Sequence, residues 1–155
     1  MNLHKLHNNP KELDHHDDQH LVPAVVWEKY RGNLEELKKR EKILARDPKT
    51  AYFYAADVLK VPFPLGEPAI AKSTNYSYLY AYHVLGEEFK LGEPAIAKDA
   101  YWSYLYALNI VGDRFKLGEP TIAKDAKCSY EYSRWIIHGP FPLGEPAILK
   151  RFRIF

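Results

Sequence analysis

Cysteine is almost missing from the chain: 155 residues contain one, Cys128. That excludes an internal disulfide framework and any zinc site built on several thiolates. No apolar run approaches the roughly 18 residues of a membrane span, and the opening Met1-Asn2-Leu3-His4-Lys5-Leu6-His7 lacks the apolar core of a signal peptide. The expectation is therefore a soluble protein, cytoplasmic wherever it is made. Excess charge of one sign is lacking too: 22 Lys and Arg against 20 Asp and Glu leave +2. No glycine-rich phosphate loop is present. What the chain does have is apolar content, 46%, enough for a packed core, and aromatics in quantity: 12 Tyr, 7 Phe and 3 Trp.

Those aromatics are periodic. Gly-Glu-Pro recurs with its glutamate at Glu67, Glu93, Glu119 and Glu145, a constant spacing of 26. The same offset carries Tyr52 onto Tyr78, Tyr104 and Tyr130, Tyr54 onto Tyr80, Tyr106 and Tyr132, and Phe63 onto Phe89, Phe115 and Phe141. Four units follow, 41–66, 67–92, 93–118 and 119–144, and a fifth begins at Glu145. A repeat of this length that cannot bury its apolar face alone must stack on its neighbours.

Each unit reads as two helices. The proline after each glutamate suits a first helical turn, where its missing donor is not needed and the acid favours the positive helix end. This short helix spans roughly Glu67 to Lys72. Asp47, Ser73, Asp99 and Asp125 are placed as N-caps of a second helix, which runs to about Leu59, Leu85, Val111 or Ile137. Gly86 and Gly112 fall one residue beyond, where a left-handed C-terminal cap prefers glycine. In the third unit Tyr104, Ala107 and Val111 share a face, with Tyr106 and Ile110 on an adjoining one. Ile96 and Ala97 from the short helix, and Phe115 and Leu117 from the loop, complete the expected core.

The spacing predicts an all-α protein, an α-solenoid of four two-helix repeats over 41–144. Residues 22–40 form an N-terminal helical cap, with Asn33 capping a backward extension of the first short helix. Residues 1–21 are a flexible His/Asp-rich segment, and 145–155 close the array.

The pattern Gly-Glu-Pro-x-Ile-Ala-Lys-Asp, then Tyr-x-Tyr-Ala-x-x-Val-Leu, then Phe-x-Leu-Gly, resembles a short helical repeat of uncharacterised proteins from tailed bacteriophages and some bacteria. The resemblance covers about 41–150. It implies an α-solenoid and a viral setting, and brings no catalytic or binding residues with it. The tetratricopeptide pattern, a unit of about 34 residues with different Trp, Gly and Tyr spacing, does not fit.

Candidate chemistry is sparse. The recurring Glu67, Glu93, Glu119 and Glu145, and Lys72, Lys98, Lys124 and Lys150, could be read as metal ligands or a phosphate ladder. Their placement at helix starts and ends answers to the helix dipole instead. The four units together carry no net charge, so nucleic acid, whose binding runs on counterion release, is not the expected partner. His16 and His20, at i and i+4 beside Asp17, are a weak metal candidate. Cys128 has no histidine placed for it and reads as a buried thiol. No catalytic residues, no cofactor and no membrane partner are expected.

The columns that vary between units carry the functional expectation. One holds Phe53, Leu79, Leu105 and Glu131; a second Ala56, Tyr82, Leu108 and Arg134; a third Asp57, His83, Asn109 and Trp135. Together with Tyr101 and Trp102 they predict a strip along the array: Leu79, Tyr82, His83, Tyr101, Trp102, Leu105, Asn109, Glu131, Arg134 and Trp135. Solenoids bind along such strips, and Tyr, Trp and Arg anchor interfaces. The expectation is a non-catalytic module whose partner is another protein, a virion component or a host protein. Nucleic-acid binding and self-association through a poorly capped end are the alternatives.

Overall fold

The computed structural model describes residues 20–152, and among them every regular element is helical, with no strand. The chain is all-α. At its N-terminal side lie α1 (Pro23–Tyr30) and α2 (Leu34–Lys38). Short helices and longer second helices then alternate. The short ones are α3 (Glu41–Leu44), α5 (Glu67–Ile70), α7 (Glu93–Ile96) and α9 (Glu119–Ile122). The second helices begin as α4 (Pro48–Phe53), α6 (Thr74–Tyr80), α8 (Ala100–Tyr106) and α10 (Ala126–Tyr132). The last element is α11 (Glu145–Phe152). No helix among the described residues is long and apolar enough to cross a membrane.

The expected caps are in place. The side chains of Asp47, Asp99 and Asp125 accept from the backbone N–H three residues on at 2.8, 2.9 and 2.8 Å. Ser73 does so at 3.5 Å and Asn33 at 3.2 Å. Each bond satisfies a donor that the first helical turn leaves open.

The second helices do not stay α-helical. They continue as π-helix over Tyr54–Leu59, Ala81–Leu85, Ala107–Val111 and Ser133–Ile137. The ends fall where the sequence placed them, and Gly86 and Gly112 cap them in the left-handed region, at φ +67° and +68°. Lys60 and His138 adopt the same conformation, at φ +56°, without being glycine.

Neighbouring pairs interlock. Second helices α4, α6, α8 and α10 pack on the short helix that follows, α5, α7, α9 and α11, and α4, α6, α8 and α10 pack on one another in sequence. Helix α1 packs on α2, α3 and α4. The closest approach is at the loop glycines. A Cβ on Gly118 would lie 2.6 Å from the Phe115 ring and 2.7 Å from Ser103 Cβ and Oγ. Glycine is there for space, since its φ is an ordinary −86°.

The core differs from expectation in two respects. In the third unit the buried stripe is Ser103, Tyr106 and Ala107, at i, i+3 and i+4, while Tyr104, Ile110 and Val111 are half-buried. The serine is the reason: its hydroxyl donates to the Ile96 carbonyl at 2.9 Å, so a polar residue sits in the tightest contact at no hydrogen-bonding loss. Ser77 and Ser129 do the same to Ile70 and Ile122. Leu117, expected in the core, is 54% exposed. It precedes the N-cap Gly118 and stands five residues before the buried Ile122, the register of a hydrophobic staple.

Candidate functional site

The recurring glutamates are bound up in the fold. Tyr54, Tyr80, Tyr106 and Tyr132 are wholly buried. Their hydroxyls donate to Oε1 of Glu41, Glu67, Glu93 and Glu119 at 2.7, 2.9, 3.0 and 2.8 Å. Three of those hydroxyls also accept from the backbone N–H of the preceding loop: Phe63 to Tyr80 at 2.8 Å, Phe89 to Tyr106 and Phe115 to Tyr132 at 2.9 Å. Each tyrosine ring meets the phenylalanine of its own loop at 5.0–5.2 Å. One side chain thus ties a short helix, a second helix and the loop of the previous unit. Burial, with the glutamate beside them, pushes all four phenols well above the usual tyrosine range.

Sequence reading assigned those glutamates to helix starts and missed this bond. The available signal was the constant 13-residue offset between glutamate and tyrosine in every unit.

The predicted strip resolves into two clusters. In the first, Tyr82 stacks on Tyr78 (5.9 Å, 15° between planes) and meets His83 edge-on at 5.0 Å. Tyr78 meets Trp102 at 5.2 Å, and Trp102 meets Tyr101 at 5.5 Å. The run extends backward through His83 to Tyr52 (6.5 Å) and Tyr52 to Phe53 (5.1 Å), with Tyr76 beside both. Asn109 joins from the third unit, its Nδ2 donating to the Tyr78 hydroxyl at 3.0 Å. An unbroken ribbon of rings therefore crosses three units. Tyr82 and Tyr101 are its open faces, at 50% and 55% exposure.

The second cluster lies in the fourth unit. Trp135 Nε1 donates to Glu131 at 2.7 Å, and Arg134 lies 4.9 Å over the Trp135 ring while donating to the Tyr130 hydroxyl at 3.1 Å. No hydrogen bond, ion pair or ring contact joins the two clusters among the described residues. Leu79 and Leu105 are half-buried against the core and supply little open surface. Tyr52, Tyr76 and Tyr78, which back the ribbon, were not among the predicted residues; the i, i+4 spacing of Tyr78 and Tyr82 was the sign of it.

Two concavities lie among the described residues. One, of about 310 Å³, lies between α1 and α4, walled by Trp27 and Phe53 with Glu28, Asp57 and Lys49 at its edge. Phe53 connects it to the ribbon. The other, of about 530 Å³, is lined by Glu88, Lys90, Glu93, Asp113, Arg114 and Lys116. Four of its charges are already paired: Lys90 with Glu88 and Glu93, and Arg114 with Glu119 through two bonds of 2.7 and 2.9 Å. Arg114 holds the Glu119 carboxyl below the usual carboxylate range.

Cys128 is buried, and burial, with Asp125 beside it, pushes its thiol up to about 12, so the nucleophilic thiolate is not populated at neutral pH. Of the candidate metal pair, His16 lies outside the described residues and His20 is exposed at their first position. No group of three or more metal-capable side chains occurs among the described residues. The chain matches no protein-family model, no curated protein and no solved structure.

Proposed function

We propose that the protein is a non-catalytic binding module, an α-solenoid of four 26-residue units over residues 41–144 behind an N-terminal helical cap, whose partner is another protein. The carrying observation is the ring-to-ring run from Phe53 to Tyr101 with Tyr82 and Tyr101 half-exposed upon it. Aromatics held in place by their neighbours lose little side-chain entropy on docking, which is why tyrosine and tryptophan dominate interface energetics. Asn109 and His83 supply the polar groups that would fix a partner's register. The absence of net charge over the four units weighs against a phosphate backbone. The resemblance of the repeat to proteins of tailed bacteriophages makes the proposed setting a virion, or a host cytoplasm where the module occupies a host protein.

Affinity capture of the tagged protein from its native cells or virions, read by mass spectrometry, tests this. A Tyr82→Ala/Tyr101→Ala variant should lose the captured protein while its circular dichroism stays helical. A second variant, Arg134→Ala/Trp135→Ala, reports whether the fourth-unit cluster contributes. Capture unchanged by both removes the strip from the reading. Recovery of nucleic acid with a steep salt dependence replaces the proposed partner.

A further inference from the structure

The four connecting loops, 61–65, 87–91, 113–117 and 139–143, make an edge that shares no residue with the ribbon. Each buries one phenylalanine, Phe63, Phe89, Phe115 or Phe141, and leaves the leucine two residues on in the open. Leu65, Leu91, Leu117 and Leu143 are exposed to nearly the same extent, 51–56%.

Consecutive loops are stacked. Tyr80 lays its ring on Phe89 of its own loop at 5.1 Å and accepts the Phe63 N–H of the loop before at 2.8 Å. Tyr106 and Tyr132 repeat the arrangement. The leucines therefore stand in a column with a step of about 8–10 Å, the spacing of packed helices. One repeat before Leu65 the column holds Lys39, which closes it on that side. A continuous apolar row is more than the scattered leucines that any surface carries.

Between the leucines the loops differ, and their order has a symmetry. The first and fourth read Pro-Phe-Pro-Leu, over 62–65 and 140–143, with all four prolines exposed. In the second loop Glu87, Glu88 and Lys90, two acids and one base, leave −1. In the third Asp113, Arg114 and Lys116, one acid and two bases, leave +1. The edge thus runs apolar, negative, positive, apolar.

We propose that this edge is a homodimer interface on which a second copy of the chain lies antiparallel, about a two-fold axis passing between the second and third loops. That axis lays the first loop on the second copy's fourth and the second on its third, so apolar loops meet and each negative loop faces a positive one. A parallel pair would set each charged loop on its own like. The two-fold also matches residues of equal rank in their loops: Leu91 with Leu117, Leu65 with Leu143, and Glu88 with Arg114. Arg114 spends Nε and Nη2 on Glu119, and no hydrogen bond among the described residues uses its Nη1. The like pairs that the match creates are muted, since Lys90 is held between Glu88 and Glu93 and the Asp113 carboxylate accepts from the Arg114 N–H. The concavity of about 530 Å³ lies between these two loops, at the axis. The interface stands whether or not the ribbon binds a partner.

Sedimentation equilibrium of the full chain over a range of concentrations tests this, with circular dichroism confirming that each variant stays helical. A dimer and nothing larger is expected. Glu88→Lys and Arg114→Glu should each weaken it about tenfold or more when alone. Mixing the two variants should restore it, because the two-fold then sets each reversed charge against the other. Leu91→Gln/Leu117→Gln, which removes no hydrogen bond, should weaken it as well, and Tyr82→Ala/Tyr101→Ala should leave it intact. A monomer at every concentration overturns the proposal, as does a dimer indifferent to Glu88→Lys and to the leucine variant. Growth beyond the dimer does so too, since the chain would then associate through its ends.

Discussion

Tyr80 and Tyr54 occupy the same column and differ by one hydrogen bond. Both donate to a glutamate, but only Tyr80 also accepts from a loop amide, that of Phe63. Replacing either with phenylalanine removes a bond to a carboxylate. Tyr80→Phe additionally strands a buried N–H, which costs about 1–3 kcal/mol beyond the lost bond. Urea denaturation should therefore place Tyr80→Phe below Tyr54→Phe by that margin, and equal midpoints would mean the Phe63 amide finds water instead. Glycine gives a second contrast. Gly118→Ala forces a methyl into the Phe115 ring and Ser103, while nothing lies within 4 Å of a Cβ on Gly139. Overpacking of that kind costs about 1–3 kcal/mol, so thermal melts should separate the two alanine variants in that order.

The second helices show what a sequence can and cannot display. Their caps, their ends and the glycines after them were legible because each rests on one residue's local chemistry: a short acceptor at Asp47 or Asp99, a missing Cβ at Gly86 or Gly112. The π-helical half was not legible. Bonds such as Gly112 N–H to the Ala107 carbonyl (2.9 Å) shift the register by one residue without changing which residues are apolar. The core stripe was legible in Tyr106, Ala107, Ile96 and Phe115 but not in Ser103, for a related reason. Ser103 counts as polar in any periodicity, yet it is the residue that lets α8 close on α7. Of the candidate surface, Tyr82, His83, Tyr101, Trp102, Asn109 and Trp135 were legible in the sequence; Tyr52 and Tyr78 behind them repeat and so read as core. One exchange tests the cap logic. Lys60 and His138 hold the left-handed conformation that Gly86 and Gly112 hold without strain. That conformation costs a residue with a Cβ roughly 1–2 kcal/mol, and glycine's greater unfolded-state entropy returns part of it. Lys60→Gly should raise the midpoint of thermal unfolding modestly, and a lowered midpoint would show that the lysine side chain stabilises that turn.

The alternation of short and second helices was visible throughout because stacking repeats one set of contacts at a fixed interval, and that interval was in the sequence. The same repetition makes the whole chain respond to pH as a unit. Tyr54, Tyr80, Tyr106 and Tyr132 are held protonated by burial and by the carboxylates they face. In the unfolded chain they ionise near the ordinary value of about 10. Their folded values are raised, so their contribution to stability is complete below that point and is lost as pH climbs toward the folded values. Above pH 10 each contributes a slope of about 1.4 kcal/mol per pH unit, all of the same sign. Glu119 and Asp125, held low by Arg114 and by the Cys128 N–H, act in the other direction: their contribution is present above the ordinary carboxylate range and fades as pH falls through their lowered folded values. Stability measured by urea at fixed pH should thus be flat near neutrality and collapse steeply on the alkaline side. Tyr80→Phe should make that limb shallower by one tyrosine's share. Phenolate absorbance should show these four groups titrating with unfolding; four additional phenolates appearing near pH 10 in a still-folded chain would mean the bridges between units are open to water.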